Sequence, residues 1–111
     1  DVHNLDGPGM DRETVHPPLG FRYQIPYRIL VPKAIDNLLV AGRCVSVTHL
    51  ALGSIRVMSQ CMVTGEAAGA ASALSLSEGV TTRAVNVSRL QETLRAGGGI
   101  IDEADVARVN K

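Results

Sequence analysis

Tryptophan is absent from this 111-residue chain, and Phe21, Tyr23 and Tyr27 are its only aromatic residues. All three fall within seven positions, so the base-stacking platforms that hold single-stranded nucleic acid cannot be built elsewhere. An excess of charge is missing too, because 11 Lys and Arg balance 11 Asp and Glu. With no net field to draw phosphate backbones or anionic lipid, neither nucleic acid nor a membrane surface is an expected partner. The two cysteines, Cys44 and Cys61, lack the close-spaced partners of a structural zinc site, and His3, His16 and His49 are scattered. No metal is expected. Two buried reduced thiols are the simplest reading, with a disulfide left open. The dinucleotide fingerprint G-x-G-x-x-G is also lacking. Neither Gly7-Pro8-Gly9 nor Gly97-Gly98-Gly99 has a third glycine at the right offset, and there is no P-loop. The chain therefore carries no first-turn device for gripping a pyrophosphate. It begins with Asp rather than Met, from which a processed, trimmed or partial polypeptide is expected.

What is present bounds one domain at most. Residues 1–20 hold Gly7-Pro8-Gly9, Pro17-Pro18 and Gly20 and read as an irregular loop. From Phe21 to Tyr27 apolar and polar residues alternate, which predicts a half-buried strand that Pro26 confines to an edge or bulge. The run Leu38-Leu39-Val40-Ala41 before Gly42 predicts a strand buried on both faces. Ser54 as N-cap and Gly79 as terminator bracket one long expected helix, whose middle, Gly65 to Ala73, has almost no side-chain bulk. Within it, residues 57–77 carry Glu66 as their one charge, but are too polar for a membrane span. The sequon Asn86-Val87-Ser88 is read as a helix start, with Ser88 capping a helix that shows Leu90 and Leu94 on one face and ends at Gly97. Residues 100–111 form a polar tail or short helix opened by Asp102.

The expected fold class is α/β, with short strands, the long small-residue helix and a shorter helix after it. In a strand-loop-helix unit of that kind ligands sit beyond the carboxyl end of the strand, which places Gly42 to Met58 at the ligand end. The amides of a helix beginning near Ser54 would face an anion or an electron-rich ring edge there.

Ile25-Pro26-Tyr27-Arg28, Leu30-Val31-Pro32-Lys33, Asn37 to Arg43, Thr48-His49, Gly53 to Met58 and Gly65 to Gly69 together resemble the C-terminal part of FAD-dependent oxidoreductases of the glutathione-reductase-like kind. The resemblance covers roughly residues 20–99. It implies that residues 21–99 are the C-terminal part of a Rossmann-like FAD-binding domain. A partner portion, preceding this segment in such enzymes, would carry the glycine fingerprint. It further implies FAD contacts from Gly42, Arg43, Gly53, Ser54, Ile55, Arg56, Val57 and Met58, with His49 as a candidate acid or base. Ser59 and Leu50 depart from the family pattern, which often has Pro and an acidic residue there.

The expected function is thus the flavin-pocket segment of a cytoplasmic, hydride-transferring oxidoreductase, binding FAD weakly or not at all and inactive when alone. Its expected partners are the missing N-terminal FAD-binding portion, an unidentified small-molecule substrate and further copies of itself. The rival expectation is a noncatalytic small α/β protein that self-associates through its apolar strand and small-residue helix.

Overall fold

The computed structural model describes residues 2–3, 14–15 and 18–109. It is built from helices. The paired strands among the described residues are β1 (Val2–His3) and β2 (Thr14–Val15), antiparallel and two residues each. Four α-helices follow: α1 (His49–Ile55), α2 (Met58–Glu78), α3 (Val87–Ala96) and α4 (Glu103–Val109). Single 3-10 turns occur at Tyr27–Leu30, Gly42–Cys44 and Thr82–Ala84.

The expected α/β architecture is therefore corrected: neither Phe21–Tyr27 nor Leu38–Ala41 is a strand. Pro26 removes one ladder donor, and the next residue leaves the alternation because the Tyr27 hydroxyl donates to the Thr82 carbonyl at 2.6 Å. The Ile29 amide donating to Pro26 O at 3.2 Å and the Val31 amide donating to Arg28 O at 3.3 Å wind Tyr27–Leu30 into a 3-10 turn instead. Phe21 and Tyr23 stay exposed. In the second run the Val40 amide donates to the Leu30 carbonyl at 2.8 Å, but a 3-10 turn offers no continuing row of acceptors. Leu38 remains exposed rather than buried on both faces. A periodicity that suits a strand produces one only where another strand supplies the ladder.

The long helix is present but its start is corrected: it begins at Met58 rather than after Ser54, and a separate helix precedes it. Arg56 closes α1 in helical geometry, but Val57 is extended (φ −81°, ψ 164°) and α2 starts afresh at Met58. Thr48 caps α1, its hydroxyl accepting from the Ala51 amide at 3.3 Å. Ser54 lies inside α1, where its hydroxyl bonds back to the Ala51 carbonyl at 3.0 Å. At the far end Gly79 performs as expected, with φ +65°. The Gly79 amide reaches Leu76 O and the Val80 amide reaches Ser75 O, the two bonds of a Schellman motif. Helix α3 is capped by Asn86, not Ser88: the Asn86 side chain accepts from the Ser88 and Arg89 amides at 3.0 and 3.3 Å. Asn86, two residues earlier, sits at the cap position, while Ser88 is already inside the first turn.

Helix α2 is the spine. Ala67 and Ala68 face a cluster of Ile29, Leu30, Val45 and Ile55, and Ala71 faces a second one of Val85 and Leu90, with Leu74 and Leu94 at its edge. Among the described residues no large side chain is wholly buried. The chain spreads into a slab 49 × 43 × 17 Å, with a radius of gyration of 15.7 Å, against about 13 Å for a compact domain of this length. The opposite face of α2 is bare. Met58, Met62 and Leu76 are 80%, 72% and 85% exposed, and between them Gly65 and Gly69 face open space. The small-residue stretch is thus packed on its Ala67, Ala68 and Ala71 side, whereas Gly65 and Gly69 have no close neighbour within the described chain, contrary to the tight contact expected of Gly69.

Candidate functional site

The break between α1 and α2 organises the candidate residues. Val57 is a poor cap, and α2 has neither a side-chain cap nor an acidic residue in its first turn. The first-turn amides of a 21-residue helix are therefore left open, and Val57, Met58 and Ser59 are exposed around them. The positive end of the helix dipole faces solvent. Tyr23 braces the break: its hydroxyl donates to Ser54 O at 3.0 Å and accepts from Gln60 Nε2 at 3.2 Å. One side chain thereby ties the end of α1 to the start of α2.

Arg56, half-buried, is the C-cap of α1. It therefore closes α1 rather than lying in the first turn of α2, and sits between the negative end of α1, which favours a cation, and the positive end of α2, which does not.

Gly42 adopts φ +62° and donates its amide to Thr64 Oγ1 at 2.9 Å. The same hydroxyl lies 2.9 Å from Gln60 O and 3.0 Å from Cys61 O, so it donates within α2 while accepting from the turn. Thr64 is 2% exposed. This buried hydroxyl locks the Gly42–Cys44 turn onto α2 and leaves Arg43 exposed at the surface. His49 is exposed as the first residue of α1. Gly53 and Ile55 are buried inside α1, Ile55 within the cluster of Ile29, Leu30 and Val45. Among the described residues no hydrogen bond joins His49, Arg43 and Arg56 to one another. Cys44 is exposed and Cys61 half-buried, both as free thiols, so the expectation of two buried thiols fails at Cys44. No group of three His, Cys, Asp or Glu converges among the described residues. None of the described helices is long and apolar enough to cross a membrane.

Sequence patterns missed Thr64 and Tyr23. A lone Thr among small helical residues carries no motif, and the alternation at Phe21–Tyr27 puts Tyr23 on the same strand face as Ile25 and Tyr27. Their roles arise from contacts 22 and 31 residues away in the chain.

An open helix N-terminus beside a glycine turn belongs to the class of sites that receive anionic or electron-rich ligands. The profile of the family described as FAD dependent oxidoreductase matches residues 1–94. The chain belongs to that family. No curated protein and no solved structure matches it significantly.

Proposed function

We propose that this chain forms the flavin-side layer of an FAD site in an oxidoreductase that moves a hydride between a substrate carbon and the flavin. The observation that carries the proposal is the uncapped, exposed N-terminus of α2 in a chain of this family. The donor set suits the group, because free backbone amides at a positive helix end match the electron-rich pyrimidine edge of a flavin and the negative charge that gathers there on reduction. In this reading the Met58 and Ser59 amides hold the ring edge. The Gly42–Arg43 turn, locked by Thr64, lines the cofactor, and Arg56 flanks it. When bound, FAD supplies a two-electron acceptor for a hydride from a substrate C–H bond. His49, exposed at the head of α1, takes up the proton released from the substrate heteroatom.

A second portion carrying the glycine fingerprint would dock on the bare face of α2. The slab shape and the exposed Met58, Met62, Gly65, Gly69 and Leu76 support that partner. The test is reconstitution. The chain is mixed with the fingerprint-bearing portion of a family member, and FAD binding is followed by quenching of flavin fluorescence. Saturable binding by the mixture, and weak or no binding by either part, is expected. A mixture that binds no better than its parts would overturn the proposal, and a chain that only self-associates would favour the noncatalytic reading.

A further inference from the structure

Between the Phe21–Arg28 segment and helices α2 and α3 lies a groove of about 1000 Å³, at the upper end of the range for small-molecule sites. Its floor is apolar, formed by Val63 and Ala67 of α2 with Leu90 and Leu94 of α3. Its charged lining is of one sign. Among the described residues Arg22, Arg28 and Arg83 line it and no Asp or Glu does.

Two of these cations are engaged elsewhere. Arg22 pairs with Glu103. Arg83 pairs with Asp36 at 3.6 Å and donates to Pro32 O and Lys33 O at 2.7 and 3.2 Å. Arg28 is exposed and has no carboxylate partner among the described residues. It also borders an adjoining hollow of about 350 Å³ lined by Thr48, Ser54 and Ile55, again with no acidic residue among the described ones. Arg28, without a carboxylate partner among the described residues, therefore lines both the apolar groove and the hollow at the α1 end of the candidate site. An arginine beside an apolar floor, with no carboxylate among the described residues lining either hollow, complements one ligand chemistry: a carboxylate carried on an apolar body.

We infer that this groove binds such an organic carboxylate, with Arg28 gripping the carboxylate and Val63, Leu90 and Leu94 receiving the body. Taken with the proposed flavin site, on which this last step alone rests, the carboxylate is the substrate class of the enzyme.

The test uses the full chain with hexanoate, hexanol and hexylammonium as probes, followed by amide chemical shifts and titration calorimetry. Hexanoate is expected to bind saturably and to shift the amides of Arg28, Val63 and Leu90, with hexanol and hexylammonium weaker by about tenfold or more. Arg28→Gln removes that preference and leaves hexanol binding unchanged, which separates the loss from any unfolding. Val63→Trp fills the floor and weakens hexanoate and hexanol together. Equal binding of hexanoate and hexanol, undiminished hexanoate binding by Arg28→Gln, or shifts confined to residues outside the groove would overturn the inference. FAD takes no part in these titrations, so their failure is distinct from a failure of the flavin proposal.

Discussion

The Thr64 hydroxyl accepts the Gly42 amide proton at 2.9 Å, joining a left-handed turn to the middle of α2 across 22 residues of sequence. Removing the hydroxyl without removing the amide leaves a buried donor unpaired. Thr64→Val is therefore expected to destabilise the chain by about 1–3 kcal/mol, and Thr64→Ser to recover most of that loss. Urea unfolding measures both, and exchange of the Gly42 amide reports the turn itself. An amide equally protected in Thr64→Val would show that the turn is held by something else.

The open start of α2 makes Val57→Asp informative in two opposite directions. An Asp N-cap accepts the free first-turn amides and is expected to raise the stability of the chain by about 0.5–2 kcal/mol. It also occupies those amides and adds a negative charge, so FAD binding by the reconstituted protein should fall. Thermal unfolding and flavin fluorescence on the same variant check the pair of signs. Higher stability with unchanged FAD affinity would remove the α2 terminus from the cofactor site.

Gly69 separates what the chain needs alone from what a partner needs. A Cβ built there meets nothing within 4 Å, so Gly69→Leu should leave the isolated chain unharmed or stabilise it by up to about 1 kcal/mol through better helix propensity. Against a docked partner the same side chain adds bulk to the contact, and reconstitution with the fingerprint-bearing portion should weaken. Calorimetric unfolding and pull-down of the two portions distinguish the cases. A variant that destabilises the isolated chain would mean that this face is already covered.

Asp105 sets the acid limit of the C-terminal helix. Its carboxylate accepts from the Ile101 amide at 3.0 Å, from Arg95 Nε at 3.0 Å and from the Asp102 amide at 3.2 Å. The Ile101 bond foremost, with the Arg95 and Asp102 bonds, holds its pKa below the ordinary carboxylate value. Because the folded pKa is depressed, the stabilisation is fully present above the unfolded value near 3.9 and is lost only as pH falls through the folded one. Docking of α4 should thus be constant from neutral pH to about pH 5 and fail in stronger acid. Asp105→Asn should loosen α4 at neutral pH, and exchange protection of the Arg95 and Val106 amides is the measurement. Release of α4 near pH 6 would contradict this assignment.

Some local chemistry that closes within a few residues was legible from the sequence, although the Thr48 and Asn86 caps were not. Gly79 terminates α2 because only a residue tolerant of positive φ completes that turn. Asp102 opens α4 because its side chain reaches the Ala104 and Asp105 amides at 3.0 and 3.2 Å. Leu90 and Leu94 share a face because 3.6 residues make a turn. The family pattern around Gly42 and Gly53 to Met58 was equally visible, and the match over residues 1–94 agrees with it.

Tertiary structure alone decided whatever depended on a distant partner. The alternation at Phe21–Tyr27 has the period of a strand, but a strand is stable only as part of a ladder. Among the described residues the Thr82 carbonyl captured Tyr27 instead. The break at Val57 and the bracing of both helix ends by Tyr23 were invisible locally, because Val57 carries no breaker signal and Tyr23 acts 31 residues away. Thr64 became a lock only when the chain folded back on α2. The bare face of Gly65 and Gly69 has the same origin, since small residues permit close approach and the neighbour that arrives is chosen by the rest of the fold.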